Sequence, residues 1–318
     1  MSLAKRVLFT AHRAAAKLGL HVLPRHYYSP VVDLDTLEAT RARWARRSAM
    51  RGVAWDVDAQ AQRLREICLP HREEYADNEA YRRATQGRFG PGYGPIEAQA
   101  LHALVRQLRP RRIVEVGSGV SSACLLEAAA RNEGDGAPRA QITCIEPHPS
   151  QALAALRGVD LVEAPVQAAP SDLFAALGAG DLLFIDSSHV AKTGSDVYYL
   201  VLEVLPGLRA GVVVHFHDIY LPYDYSPLSL KTLWHWNETA FLHAFLVHNA
   251  RVRTLFCMSL LHHERPEILA ELFPGYAPEP LSNGLVADAA PPLAYPRRHF
   301  PSSLVLEILE GDPRAADR

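Results

Sequence analysis

Five short apolar runs recur through the middle of the chain, at 112–116, 141–145, 159–163, 181–185 and 211–216, each separated from the next by enough residues for a crossover helix. The first, Arg112-Ile113-Val114-Glu115-Val116, is rich in β-branched residues and stops at a glycine, as a strand buried on both faces does. Ahead of it, Ile96 to Leu108 spaces its apolar residues at helical intervals and predicts a helix. Beyond the fifth run, Trp236 to Asn249 predicts a helix, Arg251 to Leu260 a strand, and Ser302 to Leu309 a last strand that closes a hairpin after a Pro-rich connection. Strand and helix in alternation predict an α/β fold with a doubly wound, mostly parallel seven-stranded sheet whose last strand is antiparallel.

Residues 1 to 75 have a different texture, with helices separated by a turn at Pro24 to Pro30 and dense charge from Leu34 to Arg72. The predicted organisation is therefore an N-terminal helical extension over 1–75 and an α/β domain over 76–318. In the first helix Leu3, Val7, Leu8, Ala15, Leu18 and Leu20 fall broadly on one side. That face is expected to pack on its own domain or to join a second subunit into a homo-oligomer, ahead of lying on a membrane. Lys5, Arg6, His12, Arg13 and Lys17 break the apolar run that a signal peptide needs. No stretch approaches the roughly 18 apolar residues of a spanning helix. A cytoplasmic protein with no transmembrane segment is expected.

Composition narrows the partners. In 318 residues, 48% hydrophobic and 21% charged is the make-up of a chain with a substantial core. Thirty-three basic against thirty-five acidic residues leave a net charge of −2, which gives no basic field for nucleic acid and favours a small-molecule or glycan acceptor. Cys68, Cys124, Cys144 and Cys257 are scattered without CxxC spacing, so neither a disulfide framework nor a structural zinc is expected.

In an open α/β sheet, chemistry collects beyond the carboxyl ends of the strands. There Glu115-Val116-Gly117-Ser118-Gly119-Val120-Ser121-Ser122 follows the first strand and opens a helix, whose free N–H groups suit a carboxylate or a phosphate. Glu146, after the second strand, is placed to accept both hydroxyls of a ribose. Ser122 stands where a dinucleotide fingerprint has its third glycine, and its bulk argues against close passage of a pyrophosphate.

The spacing Glu115-x-Gly117-x-Gly119, then Glu146, then Asp186, resembles the class I methyltransferases that use S-adenosylmethionine (SAM), over roughly residues 88 to 309. The resemblance implies a Rossmann-like sheet. It also implies that the glycine loop, with Ser118, Ser121 and Ser122, holds the methionine end of SAM, that Glu146 holds the ribose, and that Val166 and Gln167 lie near the adenine. The loop Tyr93-Gly94-Pro95-Ile96-Glu97 resembles the segment lying over the cofactor in such enzymes, with Tyr93 as a cover or, equally, a core aromatic.

Two further strand ends carry side-chain chemistry. Asp186-Ser187-Ser188-His189 ends the fourth strand and His217-Asp218 the fifth, bringing two carboxylates and two imidazoles to one sheet edge. The set resembles the metal-dependent O-methyltransferases, especially those acting on macrolide sugar hydroxyls. The resemblance makes Asp186, His217 and Asp218 metal positions and His189 the general base, with Asp186 also beside the cofactor. At 217 that pattern has a carboxylate; an imidazole there either leaves the coordination set or turns it from magnesium toward manganese or zinc. His215, on the same side of its strand, is expected to be a hydrogen-bonded core residue. The aromatic stretch from Ile219 to Tyr225, extended by Trp234, Trp236, Asn237 and Glu238, suits an acceptor wall or a packed loop. A nicotinamide-linked oxidoreductase and a non-catalytic SAM-binding scaffold are the alternatives.

Overall fold

The computed structural model describes residues 3–90, 92–293 and 300–311; Leu3 of the predicted apolar helical face has no side chain among them. The chain divides into two compact units, Met1–Ala45 and Arg46–Arg318. The first contains the helix Leu3–Ala16, on which Val7 and Phe9 are exposed, and a short helix Leu34–Ala39 capped by the Asp33 carboxylate, which accepts from Thr36 N.

The boundary expected at residue 75 falls inside the second unit. Leu64, Ile67 and Cys68 of the helix Val57–Cys68 are buried in the same apolar cluster as Phe256 and Val305 of the sheet. Gln60 Oε1 of that helix accepts from Cys257 N at 3.0 Å. A helix that supplies core side chains and completes a strand-end hydrogen bond belongs to the domain, whatever the charge of its outer face.

Seven strands form one sheet: β1 (Arg112–Val116), β2 (Gln141–Ile145), β3 (Asp160–Val162), β4 (Leu182–Ile185), β5 (Val213–Phe216), β6 (Val252–Cys257) and β7 (Leu304–Ile308), in spatial order β3-β2-β1-β4-β5-β7-β6. The first five are parallel, and β7 runs antiparallel between β5 and β6. Successive residues alternate between two buried layers, Ile113, Leu182 and Phe184 on one face and Val114, Val116, Leu183 and Ile185 on the other, as the two-residue period of a strand requires. The sixth strand ends at Cys257 rather than Leu260. Cys257 is paired with Leu304, the first residue of β7, and after one more bond, from Met258 N to Ser303 O at 2.8 Å, the chain turns into the helix Met258–Glu264.

Helices Pro95–Leu108 and Val120–Gly134 flank β1. The first opens with Pro95, whose fixed φ and missing N–H suit the first helical turn, and closes at Arg109 in the left-handed region. Between β1 and β4 the strand order reverses, which opens a crevice at the carboxyl ends of those two strands.

Candidate functional site

At that crevice β1 runs into a glycine turn. Gly117 has φ +78°, and a Cβ there would lie 1.7 Å from the Asp186 carbonyl oxygen. The absent side chain therefore lets the ends of β1 and β4 touch. Ser122 Oγ accepts from Gly119 N at 3.0 Å, fixing the start of the following helix. Glu115 lies beneath the turn, fully buried, and accepts from Ser121 Oγ at 2.7 Å, Ser122 Oγ at 2.5 Å and Cys144 Sγ at 3.2 Å. Burial pushes its pKa up to about 7 against the pull of those donors. Glu115 and Ser122 thus brace the turn from below.

Above the turn is a cavity of about 320 Å³ lined by Phe89, Tyr93, Gly117 to Ser121, Glu146, His148, Ser150 and Asp186. Glu146 stands beside the glycines. One carboxylate oxygen accepts from Ser118 N at 3.2 Å and the other from His148 N at 2.8 Å. Tyr93 is buried, its hydroxyl donating to Glu97 O and its ring 4.9 Å from the His217 ring, so it is a core aromatic that also closes one side of the cavity. Gln167 is placed apart: its exposed side chain donates to Gly194 O at 2.9 Å, and neither it nor Val166 lines the cavity.

Asp186 continues the cavity wall into a cluster of titratable groups. Its Oδ1 lies 3.1 Å from His189 Nε2 and 3.3 Å from His217 Nδ1. Asp218 Oδ2 lies 3.6 Å from each of the same two nitrogens, while its Oδ1 accepts from Tyr220 Oη at 2.8 Å and Ser302 Oγ at 3.0 Å. His189 and Asp218 both have left-handed backbone, φ 58° and 56°. Non-glycine residues hold that conformation at some energetic cost and only where their surroundings impose it, which occurs most at functional sites.

Two buried glutamates back the imidazoles. Glu238, at the start of the helix Glu238–Leu246, faces His189 Nδ1 at 2.8 Å. Glu97, in the helix Pro95–Leu108, faces His217 Nε2 at 3.1 Å; its other oxygen accepts from Ser302 N at 2.9 Å and from Ser303 Oγ at 3.1 Å, and shares the one hydrogen of Ser302 Oγ, also 3.1 Å away, with Asp218. Burial would lower the His189 pKa, but the hydrogen bonds to Asp186 and Glu238 and the nearby carboxylate charges hold it up at about 10. His217 is likewise held well above its ordinary value, against burial, by Glu97, Asp218 and Asp186. Asp186 is correspondingly held below the usual carboxylate range by both histidines despite its burial. His215 behaves oppositely: with the Ser303 hydroxyl hydrogen turned to Glu97, its Nε2–H donates to Ser303 Oγ at 2.9 Å, and burial pushes it down to about 3, as a neutral core imidazole.

The donor set fits a divalent ion. One ligand atom each from Asp186, His217 and Asp218 lie within 4.8 Å of one another. Two carboxylate oxygens and an imidazole nitrogen suit manganese or zinc better than magnesium, which prefers oxygen throughout. Glu97 and Glu238 stand in the sequence near the two candidate loops, but their roles emerge only in space; a charged residue on a helix as apolar as Ile96 to Leu108 was the available signal.

Residues 114–219 match the family model described as a methyltransferase domain. An uncharacterised protein of Archaeoglobus fulgidus is 26% identical over 186 residues, covering 54% of this chain and 80% of its own length. Among solved structures, a methyltransferase from Podospora anserina bound to S-adenosylhomocysteine is similar at 15% identity, covering 92% of this chain and 100% of that one, with a TM-score of 0.39. The O-methyltransferase of tomaymycin synthesis from Streptomyces achromogenes, in complex with SAM, is similar at 19% identity over 55% of this chain and 81% of that one, also at 0.39. The matched segment runs from β1 through the end of β5 and includes the glycine turn, Glu146, Asp186 and His217-Asp218. That match, over about a third of the chain, and the strand order β3-β2-β1-β4-β5-β7-β6 with its antiparallel β7 make this segment similar to a methyltransferase domain on a Rossmann-like sheet.

Proposed function

We propose that the protein is an O-methyltransferase that moves the methyl group of SAM to a hydroxyl of a small acceptor, such as a sugar, a polysaccharide precursor or another secondary metabolite. The observation that carries this reading is that Asp186 belongs both to the wall of the glycine-turn cavity and to the acid and histidine cluster, so a methyl donor in the first would meet an acceptor in the second. Methyl transfer is an in-line displacement: the acceptor oxygen bonds to the methyl carbon as the carbon–sulfur bond breaks, and the sulfonium becomes a neutral thioether. The protein has to position the acceptor and take its proton. In this reading the turn from Gly117 to Ser121 receives the methionine tail, Glu146 receives the ribose, and His189 Nε2, once its own ring proton has left, takes the hydroxyl proton.

Asp186, His217 and Asp218 would hold a divalent ion. When bound, such an ion lowers the pKa of a hydroxyl next to it and so eases the removal of the proton. Trp236, whose ring centroid is 4.6 Å from that of His189, supplies a flat apolar wall beside the base. The class of acceptor follows from that chemistry: it carries an unactivated hydroxyl, whose proton needs both a base and a neighbouring positive charge.

Calorimetric titration tests the cofactor, with stoichiometric binding of SAM and none of NAD expected; the reverse result ends the reading. Transfer of labelled methyl groups to a panel of hydroxylated sugars and glycans tests the reaction. His189→Ala is expected to abolish transfer and to leave SAM affinity within about twofold, since it removes only the proton acceptor. Undiminished transfer in excess EDTA would remove the ion from the mechanism.

A further inference from the structure

We propose that Glu97 and Glu238 are positioning residues that assign different tasks to the two histidines by fixing which ring nitrogen keeps its proton. The inference rests on the O-methyltransferase reading above and extends it to residues that touch neither cofactor nor acceptor. An ionised carboxylate only accepts hydrogen bonds, so the imidazole nitrogen that faces it carries hydrogen whether the ring is charged or neutral. Glu238 faces Nδ1 of His189 at 2.8 Å; the ring that has given up one proton therefore keeps Nδ1–H and turns the lone pair of Nε2 toward Asp186 and Asp218. Glu97 faces Nε2 of His217 at 3.1 Å; that ring keeps Nε2–H and turns the lone pair of Nδ1 toward the same two aspartates.

The two dyads are mirror arrangements with opposite nitrogens exposed, and their surroundings separate their tasks. Glu97 is wholly buried and fixed, its far oxygen accepting from Ser302 N and Ser303 Oγ and lying 3.1 Å from Ser302 Oγ. A carboxylate so fixed holds its histidine rigidly, as the outer partner of a metal-binding imidazole must. Glu238 has one buried oxygen, Oε1, with no hydrogen-bond partner, and the loop carrying His189 is tied to the same helix start, His189 O accepting from Asn237 N and Glu238 N. That histidine is oriented yet retains a partner able to stabilise the ring cation formed when it takes a proton, the task of an acid behind a general base. The imidazole at 217 is thus compensated: the negative charge that a carboxylate there would bring is supplied by Glu97 from behind the ring.

A double-mutant cycle on manganese affinity, read by calorimetry on metal-free protein, tests the first dyad. E97Q is expected to weaken manganese binding by about 10–100-fold with SAM affinity unchanged. In an H217D background, where no ring needs orienting, the same E97Q change is expected to have less than about a twofold effect. Equal weakening in both backgrounds overturns the positioning role. Glu97→Asp, which withdraws the carboxylate by one methylene, replaces E97Q if the glutamine variant does not fold, and the same loss is expected of it. For the second dyad, E238Q offers His189 an amide in place of an acceptor-only group; a loss of kcat of at least about a hundredfold is expected, with KM and manganese affinity unchanged. An unchanged kcat, or a loss shared by kcat and manganese affinity, overturns its part. Absence of manganese and zinc binding by the wild-type protein would instead sink the ion reading itself, and with it the task given to Glu97.

Discussion

The glycine turn and the histidine cluster meet at Asp186 but are built in opposite ways. The turn works through backbone: its hydrogen-bonding groups are main-chain amides, its shape depends on a missing Cβ at Gly117, and its supports, Glu115, Ser121 and Ser122, lie within seven residues of one another. The cluster works through side chains gathered from the ends of β4 and β5, two helices and the approach to β7, and its outer contacts, Glu238 to His189, Glu97 to His217 and Ser302 to Asp218, join residues far apart along the chain. A backbone site tolerates changes of side chain except where a Cβ would collide. A side-chain site of this kind tolerates little, because removing one member leaves another buried charge without its partner.

Gly117→Ala attacks both halves at once and carries the largest expected effect. The new methyl would meet the Asp186 carbonyl oxygen at 1.7 Å in a backbone conformation, φ +78°, that alanine adopts only with strain. Strain and overpacking each cost about 1–3 kcal/mol, so a loss of roughly 2–6 kcal/mol in denaturant unfolding is expected, with both SAM and manganese binding lost. Wild-type manganese affinity in this variant would mean that the cluster stands without the turn, and the comparison would then describe two independent sites rather than two halves of one.

The same contrast governs how much could be read from the sequence. The turn was legible because its parts are contiguous: a β-branched strand, Gly117 and Gly119, and a helix start announce themselves within a dozen residues. Asp186 with His189, and His217 with Asp218, were legible as pairs for the same reason. Glu97 was visible but without a task, since its partners His217 and Ser302 lie 120 and 205 residues away. The helix Val57–Cys68 reads in the sequence as part of a charged extension because its outer charges mask the buried Leu64 and Ile67 and because its tie to β6, Gln60 to Cys257, spans 197 residues. The expected strand Arg251 to Leu260 runs three residues past the observed end of β6 at Cys257 because Met258-Ser259-Leu260 is as apolar as a strand.

If the two halves are separable in function, single substitutions should divide them. Glu146→Ala removes the charged acceptor over the glycine turn and is expected to weaken SAM binding by about 10–100-fold, the loss of one or two charge-assisted hydrogen bonds, with manganese affinity unchanged. Asp218→Asn should do the reverse, weakening manganese by at least about tenfold and leaving SAM within about twofold. Calorimetry with each ligand on each variant reads the four affinities. Coupled losses in both variants would show that the ion and the cofactor bind as one unit through Asp186.

The smallest expected effect concerns pH and separates the halves by their protons. In the ion-free protein both His189 and His217 are held above the ordinary histidine value, His189 at about 10, so near neutrality the cluster carries ring protons that an ion must displace. Manganese binding should therefore release about one proton per ion from His217 Nδ1, and affinity should rise by up to about tenfold per pH unit as pH increases from about 6 to 8. SAM binding to the turn should vary far less over that range. The sign for stability runs the other way: a raised folded-state pKa contributes stability that is complete below the ordinary value of 6.5 and is lost as pH rises through about 10, so the ion-free protein should melt at lower temperature as pH goes from 7 to 10. The manganese-loaded protein should show a flatter profile, because the ion replaces the proton as the charge that the carboxylates face. Parallel melting profiles with and without manganese would mean that the cluster holds its protons for structure alone.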